Sequence, residues 1–280
     1  MMNVRIQIIL VLYGMPLQSS AAFGTWRRYM HTAKFKHHLL IYNNSHDIPC
    51  IAPNDCTVIN ATQNDGLSIP YNIALKQAQT HGASWLLTLD QDTSITEDYV
   101  QALNAFLSRA DANRYAAALP QLRQDQLWHS PTAYRRWRGV AWRCRPVRPN
   151  NYEALRQTHI ITAFNSGTLF NVQKVNELDG FSHNFPLDML DHWTFYQIHL
   201  HHWPLFLTDA RLEHCLSHTM GMTPERYNRY LAAHRQFASK LGFDTLMCFL
   251  LHLIYDAMQQ KWQKNHQFYH ITLHYLLHKQ

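Results

Sequence analysis

Apolar residues in the first part of the chain fall in short unbroken runs, separated by segments whose apolar positions recur at helical spacing. Val4 to Tyr13 is apolar and β-branched, the signature of a strand covered on both faces of a parallel sheet. Ser19 to Lys34 reads as a helix, Leu39 to Tyr42 as a second strand closed by the turn residues Asn43-Asn44-Ser45, and Cys56 to Ile59 as a third strand. Ser68 to His81 reads as a helix with Pro70 tolerated in its first turn. Trp85 to Leu89 is a fourth strand that runs directly into Asp90-Gln91-Asp92, and Thr96 to Ala110 is the next helix. Ala116 to Pro120 is a short strand, Gln121 to His159 an irregular basic and aromatic stretch, and Ile160 to Phe170 a further strand. Beyond Pro224 the chain reads as helical to its end. This order predicts an α/β domain with an open, mostly parallel sheet. Ligands of such sheets bind beyond the carboxyl ends of the strands, where Asn43 and Asp90 both stand.

Length and composition narrow the class. The 280 residues, 46% hydrophobic, suit one sizeable domain with a small C-terminal appendage and exclude a disordered chain. The predicted division is 1–222 for the α/β domain and 223–280 for a helical extension. A formal net charge of +6 points to an anionic partner, whether a nucleotide diphosphate, an anionic lipid surface or a nucleic acid, or simply to a basic enzyme. Of the 20 histidines only His199, His201 and His202 cluster, without a zinc-type frame. Five irregularly spaced cysteines argue for reduced thiols in a cytosolic protein. Arg5 and the following apolar run resemble the start of a signal peptide, but a first buried strand fits better, and no run reaches the ~18 apolar residues of a membrane span.

The Asp90-Gln91-Asp92 pair follows an apolar strand, so both carboxylates converge on one point at the sheet edge. Hard oxygen ligands of this kind hold Mg²⁺ or Mn²⁺ together with diphosphate oxygens. Taken alone, Asp-x-Asp is equally two solvated loop acids. Around it, Asn43-Asn44-Ser45, Asn64-Asp65-Gly66-Leu67 with Asn72, and Leu87-Thr88-Leu89-Asp90-Gln91-Asp92-Thr93 occur in order. Asn165-Ser166-Gly167-Thr168-Leu169, Gly180-Phe181 with Asp188 and Asp191-His192-Trp193, and Leu212-Glu213-His214-Cys215-Leu216-Ser217 follow. This combination resembles glycosyltransferase family 2 with the GT-A fold, and within it the rhamnosyltransferase-like enzymes of surface polysaccharide synthesis. The resemblance runs from about Val4 to Ser217.

The resemblance implies an inverting, metal-dependent hexosyltransferase. The donor would be a dTDP- or UDP-sugar, dTDP-rhamnose foremost, and the acceptor a glycan or a lipid-linked glycan. It implies Asp191 as the base that takes the acceptor's proton, with Asp188 either its rival or a helix-start acid. Asp90 and Asp92 would hold the metal, and His214 would be a third ligand, a diphosphate contact or a structural residue. Tyr13, Asn43, Asn64, Gly66, Asn72, Asp90 and Gln91 would line the nucleotide site. Many relatives carry Asp at the position of Asn43, where the carboxylate contacts the pyrimidine; an amide can still pair with a ring N–H. Asn64 and Asn72 serve equally well as turn and helix-start residues.

Two segments stay outside this pattern. Arg135-Arg136-Trp137-Arg138, Trp142-Arg143 and Arg145 mix basic and aromatic residues, suited to an anionic acceptor or sugar rings, to nucleic acid, or to a solvated loop. In the tail, Leu246, Phe249, Leu250, Leu253, Ile254 and Met258 recur at helical spacing. That stripe would pack on the domain or on a second copy in a homodimer, or lie in the plane of the inner face of the cell membrane. The competing functions are a nucleotidyltransferase and a catalytically silent binder of sugar nucleotides or nucleic acid; with the family pattern present, nucleic acid is not expected as a partner.

Overall fold

The computed structural model describes residues 4–51, 53, 55–124, 127–135, 144–214, 223–262 and 266–277, with the side chains of His214 and Trp262 excepted. The large sheet is built from β1 (Arg5–Leu12), β2 (Lys36–Asn43), β3 (Cys56–Asn60), β4 (Trp85–Asp90), β5 (Thr93–Ser94), β6 (Ala117–Gln124) and β7 (Leu127–Ser130), joined later in the chain by two more strands. A small sheet uses β8 (Thr132–Tyr134), β9 (Arg145–Pro146) and β10 (Ile160–Thr162). Strands β11 (Leu169–Asn171) and β12 (Leu205–His214) complete the large sheet in the order β3-β2-β1-β4-β11-β6-β12-β5, with β7 beside β6. The strands β3, β2, β1 and β4 run parallel, as do β6 and β12, while β11 is antiparallel to both of its neighbours. The mixed, mostly parallel sheet predicted from the apolar runs is therefore present.

The helices are α1 (Ala21–Tyr29), α2 (Ser68–Thr80), α3 (Glu97–Leu107), α4 (Tyr152–Arg156), α5 (Val172–Glu177), α6 (Leu190–Leu200), α7 (Pro224–Leu241), α8 (Phe243–Trp262) and α9 (His266–Leu277). Burial on both faces explains the unbroken apolar runs. In β1, Ile9 and Val11 enter one core, which also holds Tyr71 and Leu75 of α2. Ile6, Ile8, Leu10 and Leu12 enter the opposite core with Trp26 of α1 and Tyr99, Leu103 and Phe106 of α3. Asn104 of α3, buried, accepts from the Lys34 N–H and so fixes the chain entering β2.

Three expectations change. The strand predicted over Ile160 to Phe170 is two strands in different sheets, β10 and β11, because Gly167 turns the chain at φ +75°. A Cβ there would approach Leu212 and Pro120 closely. The irregular stretch after Gln121 contains β7, β8, β9 and α4, too short and too aromatic to show a period. The helical extension is not a separate appendage at its first helix. Phe237 and Leu241 of α7 belong to the core shared with α2 and α6, whereas Tyr227, Leu231 and Ala238 pack with Phe249 and Leu253 of α8. Cys50 and Cys56 are free thiols.

Candidate active site

The carboxyl ends of β1, β2 and β4 are tied together by side chains that the sequence pattern singled out. The Tyr13 N–H donates to Gln91 Oε1 at 2.7 Å, and Gln91 Nε2 donates back to the Tyr13 carbonyl at 3.0 Å. Gln91 thus extends the β1–β4 ladder by one side-chain rung, and its carbonyl accepts from Ser20 Oγ and from the Ala22 N–H at the start of α1. Tyr13 itself is 58% exposed. The next residue, Gly14, turns at φ +69° and donates its N–H to Ser45 Oγ at 2.7 Å, locking the loops after β1 and β2 together.

Asp90 ends β4, and its N–H is held by Ser166 Oγ at 2.8 Å. Ser166 also pairs with Thr93 Oγ1 at 2.6 Å, so one buried hydroxyl spans both sides of Gln91-Asp92. The Asn165-Ser166-Gly167 turn is fastened in turn: Thr88 Oγ1 donates to the Asn165 carbonyl, the Gly167 N–H to the Thr88 carbonyl, and Tyr99 Oη to the Gly167 carbonyl. Asp90 and Asp92 are each half-buried, at the edge of the sheet. His214 ends β12 opposite Thr93, next to this loop in the sheet; its side chain lies outside the described residues.

The asparagines behave differently. Asn43 is fully enclosed, its amide donating to the carbonyls of Ile48 (2.7 Å) and Ser45 and to Asn60 Oδ1 (2.8 Å), while its oxygen accepts from the Ser45 N–H. The amide N–H groups of Asn43 are thus taken up within the turn and by Asn60. Asn44 reaches the loop after β3 instead, donating to the Gly66 carbonyl and accepting from the Asp65 N–H. Asn64 caps that loop by accepting from the Gly66 N–H. Gly66, at φ +70°, lies so close to the Pro186 carbonyl that a Cβ would collide with it, and that carbonyl accepts from the Leu67 and Ser68 N–H groups at the head of α2. Asn72 binds the backbone of Phe181 reciprocally, N–H and carbonyl both at 2.8 Å. Gly66 and Asn72 pin the 180–189 segment to α2, and that segment leads into the second acidic group.

At its end, Met189 takes a left-handed conformation (φ 64°) as the N-cap of α6, and Asp191 is the acid of the first turn. Asp188 therefore does not cap the helix. Asp191 Oδ1 accepts from the His192 N–H at 2.8 Å, His192 Nδ1 pairs with Thr162 Oγ1 at 2.8 Å, and Trp193 packs on Phe185 and Tyr196. The extension closes over this helix: Phe237 contacts His192, and Lys240 Nζ stands 5.4 Å from the centre of the Trp193 ring.

Buried tyrosines join the two acidic groups. The Tyr71 hydroxyl donates to Asp90 Oδ1 at 3.5 Å, and its pKa is driven well above the usual phenol range, by burial first and then by the Asp90 and Asp191 carboxylates. Asp90 and Asp191 thus act on one hydroxyl from two distant segments. Tyr134 is raised by burial, Cys144, Tyr196 and Asp191, and Tyr230 of α7 by burial, Asp188, Tyr227, Asp256 and Asp191. These tyrosines carried no signal in the sequence beyond their aromatic character. Among the described residues no group of three His, Cys, Asp or Glu side chains could hold a metal. Residues 136–143 and 215–222, with Arg136, Arg138, Cys215 and His218, lie outside the described residues.

Comparison with known proteins fits this arrangement. Residues 44–174 match the family model for glycosyl transferase family 2, which supports that family over this segment. No curated protein sequence matches the chain. Among solved structures, the S. aureus TarS crystal structure aligns with 13% identity and a TM-score of 0.50 over 85% of this chain and 39% of that one. TarS 1–349 in complex with UDP aligns with 12% identity and a TM-score of 0.50 over 90% of this chain and 66% of that one. TarS 1–349 without a named ligand aligns at 12% identity and TM-score 0.50 over 97% and 91%. The chain thus spans well under half of the TarS chain. At such identities the likeness carries the fold alone, and the fold is the mixed α/β arrangement of the GT-A type.

Proposed function

We propose that the chain transfers a sugar from a nucleoside-diphosphate sugar to a hydroxyl of a glycan or lipid-linked acceptor, with inversion at the anomeric carbon. The observation that carries this is the family match over residues 44–174, with Asp90 at the carboxyl end of β4 beside the Tyr71 hydroxyl and Asp191 in the first turn of α6. A strand-end acid and a separate helix-head acid suit a reaction with a leaving diphosphate on one side and a proton to remove on the other. The family match and the UDP complex of TarS 1–349 support a UDP- or dTDP-sugar as donor; rhamnose is the leading sugar by resemblance to the rhamnosyltransferase-like enzymes.

Asp90 and Asp92 are hard oxygen donors at an accessible edge, without a third ligand among the described residues. That set suits Mg²⁺ or Mn²⁺, held by one or two carboxylates with substrate diphosphate and water filling the shell, and His214 is the candidate third donor. Such an ion, when bound, would neutralise charge on the departing diphosphate. The protein's own part is positioning and proton transfer. The acceptor oxygen forms its bond to the anomeric carbon as the bond to the diphosphate oxygen breaks, the electron pair leaves with the diphosphate, and the hydroxyl proton passes to Asp191. The His192–Thr162 hydrogen bond and the packing of Trp193 hold the head of α6, and so the carboxylate, in one orientation.

A panel of dTDP- and UDP-sugars, with and without Mn²⁺, tests this by thermal shift and by release of nucleoside diphosphate. One donor should raise Tm only with metal and be turned over. Release of pyrophosphate instead would make the chain a nucleotidyltransferase. Salt-sensitive binding of oligonucleotides with no donor response would make it a nucleic-acid binder.

A further inference from the structure

Helix α8 carries two apolar stripes on opposite sides. Thr245, Phe249, Leu253 and Ala257 are buried against α7 and α9. Phe243 (76% exposed), Met247, Leu251 (54%), Ile254, Tyr255 and Met258 (67%) face outward. Their spacing puts them on one side of the helix, roughly 120° wide and about 22 Å long at 1.5 Å per residue. Only Asp244 and Lys261 bring charge to that side among the described residues. The apolar periodicity in the sequence merged these stripes: Phe249 and Leu253 fill the interior, whereas Ile254 and Met258 point away from it.

The exposed stripe offers on the order of 600 Å² of apolar surface, at the upper end of what a monomer leaves uncovered. The surrounding region is basic. Residues 223–280 hold seven Lys and Arg against three Asp and Glu, contributing +4 of the chain's net +6. Among the described residues no helix is long and apolar enough to cross a membrane. A second copy of the chain is disfavoured because symmetric pairing would set one +4 region against another.

We propose that the outer face of α8 lies flat in the headgroup layer of an anionic membrane, its apolar side chains in the lipid and the basic residues of the extension at the phosphates. α7, which packs on the opposite face of α8, reaches Trp193 of α6 through Lys240, so docking of α8 would tether the domain that carries the candidate site to the bilayer. The proposal does not depend on the transfer reaction, and its test reads lipid binding alone.

The test is flotation of the full chain with phosphatidylcholine vesicles, plain or mixed with phosphatidylglycerol, at low and high salt. The chain should bind the anionic vesicles at least about tenfold more tightly than plain ones and release as salt rises. Leu251→Glu with Met258→Glu should weaken binding about tenfold or more at unchanged Tm, since both side chains are exposed. The milder pair Leu251→Gln and Met258→Gln should weaken it less, which keeps the test valid if the charged pair misfolds. Equal binding by wild type and both variants, or no binding to anionic vesicles, overturns the proposal. So does a wild-type dimer that the variants split into monomers without any lipid binding.

Discussion

Two sets of polar residues that look alike along the chain fare differently in the fold. Asn43 and Asn44 are buried and Asn72 is half-buried, and the amides of all three bond backbone groups of the segments around them. Asp90 ends β4, Asp92 lies in the turn that follows, and Asp191 stands in the first turn of α6, all three half-buried. The difference follows from what each group can satisfy. An amide carries both donors and acceptors and can close a loop on itself. A carboxylate only accepts, and it is costly to bury without a cation or several donors, so it stays where water or a ligand can reach it. Enclosed amides build the frame, and accessible acids are left for chemistry.

If that division holds, altering an acid should remove activity at constant stability, and altering the frame should do the reverse. The largest effect is expected of Asp92→Ala. Metal-dependent turnover should fall to background with Tm nearly unchanged, because the side chain contributes little to the core. Full Mn²⁺-dependent activity in a folded variant would remove Asp92 from the metal site.

Asp191→Asn comes next. Loss of a general base costs on the order of 10²–10⁴-fold in turnover, so kcat should drop by at least the lower figure while donor affinity, read by calorimetry, stays within a few-fold. Asp188→Asn should be milder, and the reverse ranking would move the base to Asp188.

On the frame side, Gly66→Ala forces a side chain into a left-handed backbone against the Pro186 carbonyl. Strain of this kind costs roughly 1–3 kcal/mol, which corresponds to a Tm drop on the order of 3–10 °C in a domain of this size. Asn72→Ala leaves both backbone groups of Phe181 without their partner and should lower Tm by a similar amount. In both variants the remaining activity should track the folded fraction. A large loss of kcat at unchanged Tm would show that these residues touch substrate.

A further effect separates the frame from the acids by pH. Buried His234, between Tyr230 and Phe249, has its pKa lowered to about 3 by burial and then by His192 and His252. The unfolded chain takes up this proton below its ordinary value near 6.5, but the folded chain does not until about 3. Stability is therefore lost as pH falls through that window, by about 1.4 kcal/mol per pH unit for one such group. His234→Phe should flatten the fall of Tm between pH 6 and pH 4, with the other burial-lowered histidines, His37 and His199 among them, retaining part of the slope. An unchanged slope would mean that His234 is protonated within the fold.

The residues themselves determined the strands β1 to β4 with the helices α1 to α3, the two-sided burial of β1, and the acids at the end of β4. These features rest on local periodicity and on the chemistry of single side chains, which a linear pattern records. Only the tertiary structure decided that Ile160 to Phe170 divides between two sheets, that Asn43 and Asn72 bond the backbone of neighbouring segments, and that the Tyr71 hydroxyl meets Asp90. It also decided that α7 belongs partly to the main core and that α8 has an inner and an outer apolar face. Each of these depends on which distant segment packs against a residue. Periodicity tells which side of an element is apolar, and it carries no information on what covers that side.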